Sequence, residues 1–507
     1  MKPVVRSLLR SGRRSRAVTG LVTGRVAGWV VTAAAAACGL TACAGLPQPE
    51  APPAVMAQAT PAAWQAPLPH DGQLTELARW WQQFNDPVLS LLIESAQGVN
   101  ASVASAKSRI EQSRASAVAA QATLGPSLNA NASASRGRQD LSAPLGTSAS
   151  VGLQAGWEFD LFGGNRAGRD AAQARLDGAS ASWHDARVSV AAEVANQYTA
   201  LRACEAQLTQ TQLDATSRAE TSRLTELSAK AGFQAPANAA LARASAAQGN
   251  SLLTQQRAQC DLTVKALVAL AGVDEPRLRA QLATGAAKLP QPANIAMARV
   301  PADALAQRPD LYSAARDVLA ASADVAQSSA QRYPRIALSG SIGAARFSTG
   351  AGTLDGTVWS LGPVSVSLPL FDGGTRRANV GAAKARYDEA TVAYAAKLRG
   401  AVREVEEALI ALQSTADRSA DAQVATEGFG ASYVATQARY KGGLASLFEL
   451  EDARRSSLQA QSALIELQRE RVAAWISLYR ALGGGWSAAD LQAATATATA
   501  TAPASKP

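Results

Sequence analysis

The chain has 507 residues and a formal net charge of +9, with 5% aromatic residues, two histidines and four cysteines. Seven of those nine charges are basic residues that lie before Cys43 with no acid among them, which leaves +2 (nine less seven) for the remainder and no electrostatic case for nucleic acid as a partner. His70 and His184 stand apart from other ligand residues, and the chain has no zinc-type Cys/His cluster, P-loop or Gly-x-Ser-x-Gly elbow. No metal, cofactor or catalytic residues are therefore indicated, and the chain reads as a non-enzyme.

In chain order, residues 1–42 form a leader. Lys2, Arg6, Arg10, Arg13, Arg14, Arg16 and Arg25 precede or flank an apolar, Ala-rich stretch from Val26 to Ala37. Leu40-Thr41-Ala42-Cys43 then resembles a bacterial lipobox, which implies diacylation of Cys43 as the first mature residue. Ala44, where that pattern would carry Asp for inner-membrane retention, implies delivery to the outer membrane. The alternative is an ordinary signal peptide with a chance cysteine. Residues 43–73, rich in Pro and Ala, read as a lipidated N-terminus and flexible tether, and the Ala/Thr-rich stretch 487–507 as a disordered tail. After Cys43 no uninterrupted apolar run reaches the length of a membrane helix.

The folded part opens at Trp80-Trp81 and Phe84. Asp86 is placed to cap a helix begun by Pro87 and running to about Thr123. Two alternating segments follow. Leu128, Ala130, Ala132 and Ala134 alternate with Asn129, Asn131, Ser133 and Ser135, and Val151, Leu153, Ala155 and Trp157 share one face of the second. A period of two predicts strands. Gly163-Gly164 ends the pair, and helical sequence then runs from about Asn165 to Lys230, ~100 Å at the helical rise. Gly232 breaks it, and a return helix covers about 236–271.

The same order then recurs. Residues 171–271 reappear without a gap 211 positions later: Ala171, Arg175, Lys230, Gly232, Arg243 and Leu267 match Ala382, Arg386, Lys441, Gly443, Arg454 and Leu478. The second copy has a helix over about 310–332 and strands carrying Ile336, Leu338 and Ile342, then Val364, Val366 and Leu368. Trp359 and Leu361 have the opposite parity to Val364, which predicts a bulge near Gly362-Pro363. Long helices over 375–441 and 446–482 complete it. The first repeat with its linker spans 74–300 and the second 301–486.

Cys204 and Cys260 each lie 28 residues from Gly232, so an antiparallel hairpin with its tip there sets them side by side. On an oxidising secretory route a disulfide is expected; the alternative is two inert small core residues. Thr415 and Arg471 occupy the copied positions, so such a bond would be a local staple.

Strands that are apolar on one face and small-polar on the other suit a transmembrane barrel with lipid outside and water inside, Trp157 and Trp359 lying near an interface. A sheet in lipid must close, and four strands cannot. Several chains must therefore contribute to one barrel.

These features together resemble the outer-membrane efflux proteins of the TolC and OprM family, most closely the lipidated NodT-like branch, over about residues 74–486. The lipobox, the Trp80-Trp81 to Leu89 opening, Arg308-Pro309-Asp310, Tyr333-Pro334, the Gly-Gly turns and the two helical tips carry the resemblance. It implies an α+β membrane fold of duplicated long coiled-coil hairpins, with four strands per chain joining a homotrimeric twelve-strand β-barrel. It also implies an α-helical tunnel across the periplasm, docked to a periplasmic adaptor and an inner-membrane pump. On this basis the chain is expected to be the passive outer-membrane duct of a tripartite efflux system, with a pump of the resistance-nodulation-division type. The alternatives are a type I secretion duct or a non-conducting structural envelope lipoprotein. Met56 and Met297, the only methionines after Cys43, argue against a copper-dedicated path.

The second tip reads Arg439-Tyr440-Lys441-Gly442-Gly443-Leu444-Ala445-Ser446-Leu447-Phe448-Glu449-Leu450-Glu451-Asp452. The resemblance implies that Tyr440 helps hold the entrance closed and that Glu449 and Asp452 ring it. Acids three apart share one helix face, and an acidic ring selects cations. The family often has Asp where Glu449 stands, and its basic gate residue would fall on Ala445. The alternative for Glu449 and Asp452 is a solvated helix face. Gly232, Gly442, Gly443, Leu444 and Ser446 are the candidates for adaptor docking; plain helix termination is the other reading of these positions.

Overall fold

A computed structural model describes residues 64–65, 77–138, 144–291 and 305–486. The leader, Cys43, most of the tether and the tail after Trp486 lie outside the described residues, so the expectations placed on them stand as they were.

A 3₁₀ helix over Leu77–Phe84 leads into α1 (Pro87–Val99), α2 (Ala101–Ala122), β1 (Ser127–Gly137), β2 (Gly146–Phe159), α3 (Gly164–Lys230), α4 (Pro236–Ala271) and the short α5 (Glu275–Leu282). The second half gives α6 (Pro309–Ala330), β3 (Arg335–Thr349), β4 (Gly352–Ser367), α7 (Thr375–Lys441) and α8 (Leu447–Ala481), closed by a 3₁₀ turn over Gly483–Gly485. Both halves thus run helix, strand, strand, long helix, return helix. The long helices α3 and α7 have 67 residues each, ~100 Å at 1.5 Å per residue.

One expectation is corrected. The helix expected to run unbroken from Pro87 to about Thr123 is two helices, because Asn100 leaves the helical region at φ −67°, ψ 129°. Its backbone N–H closes α1 on the Ala96 carbonyl at 2.9 Å, and its side-chain oxygen accepts from Ser102 N at 2.8 Å. An asparagine oxygen competes for free N–H groups and so favours a cap over a helix interior. Asp86 caps α1 as expected, accepting from Val88 N and Leu89 N.

The strands form one antiparallel sheet in the order β1-β2-β3-β4. The two halves of the chain meet at the β2–β3 pairing, where Phe159 faces Ile336 and Leu153 faces Ile342. Leu128, Leu153, Ile342 and Trp359 lie on one face, while Ser133–Ser150 (2.9 Å), Ser135–Ser148 (2.7 Å) and Ser341–Ser360 (2.9 Å) pair their hydroxyls on the other. The register slips between Leu338 and Gly340, opposite Gly362-Pro363, so the bulge falls where the parity change puts it. Both long helices leave the sheet through a left-handed glycine, Gly163 at φ 73° and Gly374 at φ 90°. Asp160 and Asp372 accept from the backbone of the first turn after them, at Arg166 N (2.8 Å) and Arg376 N (3.1 Å). Among the described residues nothing pairs with the outer edges of β1 and β4.

The main core gathers midway along the helices. Trp80 stacks on Tyr479 with centroids 4.9 Å apart, among Leu89, Leu92, Tyr198 and Leu267. Short helices complete the half-length returns: Ser95 on α1 donates to the Ala271 carbonyl (2.8 Å), and Arg308 beside α6 donates to the Ala481 carbonyl (2.9 Å). Cys204 on α3 and Cys260 on α4 are joined by a disulfide, with Cα atoms 5.6 Å apart. Along its length α3 packs on α2, α4, α6 and α8, while among the described residues no comparable packing joins α4 to α7. Among the described residues no helix is long and apolar enough to cross a membrane.

Candidate aperture at the helical tips

Far from the sheet, each long helix turns into its return helix through the same hydrogen-bonded corner. In the first, Phe233 N donates to the Ser228 carbonyl (2.9 Å) around Gly232; in the second, Leu444 N donates to the Arg439 carbonyl (2.8 Å) around Gly443. This is a six-to-one closure of the Schellman type. It requires positive φ at the pivot, 80° at Gly232 and 74° at Gly443, where a side chain would be strained.

The corner pushes the next residue outward. Phe233 is 86% exposed and its copy Leu444 73%, and Phe448, one turn farther on, is 73% exposed. The sequence reading included Leu444 and missed both phenylalanines. The shared offset from a pivot glycine would have found Phe233.

The two return helices start differently. Pro236 sits in the first turn of α4 with no side-chain cap. α8 starts with a capping box: Ser446 Oγ accepts from Glu449 N (3.2 Å), and Glu449 Oε2 accepts from Ser446 N (2.7 Å) and Ser446 Oγ (2.8 Å). The Ser446 backbone N–H and then its hydroxyl hold the Glu449 carboxyl below its ordinary value of 4.5, with Arg439 adding to the effect from 4.0 Å. Glu449 is thus ionised and turned back on its own cap. Asp452, three residues on, is exposed.

Tyr440 lies inward of these acids. Its ring packs against Ala242, Leu447 and Leu450, and its hydroxyl is 2.8 Å from Thr225 Oγ1 on α3. A second tyrosine, Tyr433, meets Ser217 on α3 at 2.8 Å. The two helical hairpins of one chain are therefore tied by phenols reaching from α7 to α3. One chain brings Tyr440, Glu449 and Asp452 together with Gly442, Gly443, Leu444 and Ser446, and carries Gly232 on the other tip. Among the described residues no cluster of His, Cys, Asp and Glu is arranged to hold a metal ion.

Residues 92–273 and 300–484 match the sequence profile of the outer membrane efflux protein family, one block for each repeat. The pyoverdine export outer membrane protein OpmQ of Pseudomonas putida is 31% identical over 450 residues, covering 86% of this chain and 94% of that relative. Nodulation protein T of Rhizobium leguminosarum bv. trifolii is 27% identical, covering 82% and 90%. The solved outer-membrane channel OprN superposes with a TM-score of 0.76 at 27% identity, over 84% of this chain and 97% of that one. The duplicated hairpins, the lipid-suited sheet and these matches agree, and the chain belongs to the outer membrane efflux protein family.

Proposed function

We propose that three copies of this outer-membrane efflux component form one passive exit duct. The observation that carries this reading is the sheet, with one apolar face and two unpaired edges, joined directly to ~100 Å helices. Unpaired backbone edges are not tolerated in hydrocarbon, so β1 of one copy must meet β4 of another. Twelve strands then enclose the serine-lined face as a wet lumen.

Below the barrel the helices continue the duct through the periplasm, and the tips close it. Glu449 and Asp452 from each copy ring the aperture, and Tyr440 restrains it through Thr225. Gly232, Gly442, Gly443, Leu444 and Ser446 form the surface for the periplasmic adaptor, with Phe233, Leu444 and Phe448 as its most exposed apolar contacts. An inner-membrane pump of the resistance-nodulation-division type supplies the energy and selects the cargo. Cys43 carries the lipid that holds the N-terminus at the outer membrane.

Single-channel recording of the purified protein in a planar bilayer tests this. Small, cation-selective currents that lose selectivity in Glu449→Ala/Asp452→Ala are expected. Absence of current from inserted, folded oligomer of both forms would instead support a structural lipoprotein.

A further inference from the structure

The apolar face of the sheet changes character at one level. From the helical end, Phe159, Ile336 and Val366 open a face that carries no charge up to the row of Ala132, Val151, Ala344 and Thr357. The next row is Ala134, Ala149, Arg346 and Asp355, and the last is Arg136, Thr147, Ser348 and Thr353. Ser348 and Thr353 pair their hydroxyls there at 3.0 Å. The serine face changes in the opposite sense. Phe347 and Leu354 stand opposite one another on it, with the Phe347 ring lying over Gly146. The strands thus carry on past the lipid-suited band with their pattern reversed.

Length places that level. Ile336 to Arg346 is ten residues, ~34 Å along a strand and ~26 Å along the membrane normal at a tilt of about 40°. The apolar band of a transmembrane barrel is ~25 Å tall, so Arg346 and Arg136 stand where hydrocarbon gives way to headgroups. The long helices leave the sheet from its other end, which makes this the outer leaflet. Arg136 faces Thr147 and Arg346 faces Ala149, so the two arginines flank β2 with nothing bulkier than Thr147 between them. β1 and β3 lie ~10 Å apart across β2, within reach of two arginine side chains converging on one group. Both arginines are exposed, and Arg138 follows just past β1. Among the described residues Asp355 is the one carboxylate on this face at that level. It stands opposite Arg346 and makes no ion pair with it. Three arginines less one aspartate leave +2 at the rim of each chain.

We infer that Arg136 and Arg346 form a site for the phosphate-bearing lipid headgroups of the outer leaflet. The inference rests on the reading of the sheet as a barrel wall with its apolar face toward lipid. A guanidinium meets phosphate with paired N–H donors and keeps its charge throughout the physiological range. A basic rim at a membrane surface attracts anionic headgroups within about a Debye length. A solvated rim needs neither an excess of one charge nor a floor of small residues. Here Ala134 and Ala149 leave open the space beside the two arginines that a headgroup would fill. Each site lies within one chain, and lipids held there fix the depth of the barrel from its outer side.

Lipid A with two phosphates, and the same lipid stripped of both, are titrated onto the purified full-length oligomer and counted by native mass spectrometry. Wild type is expected to hold the phosphorylated lipid at least tenfold more tightly than the stripped one. Arg136→Gln/Arg346→Gln is expected to lose that preference. Arg332→Gln/Arg377→Gln, which alters exposed arginines at the helical end of the sheet, is expected to keep it within twofold. No preference in wild type, a preference kept by the rim variant, or one lost equally in the control would each overturn the inference. Displacement of the lipid by an equal concentration of inorganic phosphate would also overturn it, by assigning the arginines to the free ion. If the double variant does not assemble, each single substitution is measured, with at least a threefold loss expected and no loss overturning the site. Wild type that fails to insert into planar bilayers as an oligomer would instead overturn the barrel reading itself.

Discussion

Tyr440 donates its phenolic hydrogen bond to Thr225 across the two hairpins of one chain. The distance is 2.8 Å, and the direction follows from Thr225 Oγ1 giving its own proton to the Thr221 carbonyl at 2.7 Å. Removing the phenol oxygen leaves the ring packed on Ala242 and Leu450 and deletes one interhelical bond. Such a bond contributes about 1 kcal/mol. Tyr440→Phe is expected to raise the resting leak of the reconstituted duct several-fold with little change in thermal midpoint. An unchanged leak would remove Tyr440 from the restraint.

The capping box makes the charge at Glu449 depend on Ser446. The folded-state pKa of Glu449 lies below 4.5, so the capping contribution is fully present above the unfolded value and is lost as pH falls through the lower folded one. Ser446→Ala removes the hydroxyl acceptor and the hydroxyl donor of the box, and the Glu449 titration should move toward 4.5. Cation selectivity recorded against pH should then fail at a higher pH in Ser446→Ala than in wild type. Coincident curves would show that Glu449 does not face the conducting path.

Much of this arrangement is legible in the sequence, and the omissions have physical causes. The tips, the strand faces and the bulge opposite Gly362-Pro363 follow from glycine placement and parity, both of which are local. Ser446-Leu447-Phe448-Glu449 also fits the capping pattern of Ser followed three residues later by Glu. Glu449 fits both this cap and, with Asp452, an acidic ring, and spacing alone does not separate the two. The burial of Arg202, Arg308 and Arg454 is not legible in the sequence, because a pattern of apolar positions treats arginine as a surface residue. Each has a near partner and a distant one: Arg308 pairs with Asp310 and with Glu404, and Arg202 with Glu205 and with the Leu282 carbonyl, and only the near ones lie within reach of a local pattern. The β2–β3 pairing likewise joins segments separated by the whole first hairpin, which no local period can encode.

The disulfide between Cys204 and Cys260 closes 56 residues of sequence. A loop of that size implies an unfolded-state constraint of about 4 kcal/mol, less whatever structure the reduced hairpin retains. Thr415 and Arg471 hold the copied positions in the other hairpin without a bond, so assembly should not depend on it. Cys204→Ser/Cys260→Ser is expected to insert and conduct normally but to unfold at lower temperature. Two freely labelled thiols in the native folded protein would remove the bond.

Lipidation at Cys43 has its own readout. Wild-type chain expressed in cells fed radiolabelled palmitate should take up label, and Cys43→Ser should not. Label retained in Cys43→Ser would move the anchor elsewhere and leave the Leu40-Thr41-Ala42 match without a function.

Arg308 joins the two ends of the second repeat. It donates to Asp310 at 2.8 Å, to Glu404 at 2.9 Å and to the Ala481 carbonyl at 2.9 Å, so the start of α6, the middle of α7 and the end of α8 converge on one guanidinium. Burial alone would raise the Asp310 carboxyl, but the hydrogen bonds and charge of Arg308 outweigh it and hold the group below 3.8. A depressed carboxyl stabilises the fold above its unfolded value and loses that contribution as pH falls through the folded one. Arg308→Met leaves Asp310 without its counter-charge, and removing one partner of a buried pair costs about 3–5 kcal/mol. The variant is expected to unfold at lower temperature near neutral pH, with the gap to wild type narrowing in acid, as Asp310 becomes neutral first in the variant, where burial raises it, and then in wild type, where Arg308 holds it below 3.8. Arg308→Met/Asp310→Leu removes both charges and should recover part of the loss at neutral pH. No recovery in the double variant would assign the role of Arg308 to Glu404 and the Ala481 carbonyl, and a gap that does not change with pH would rule out Asp310 as its titrating partner.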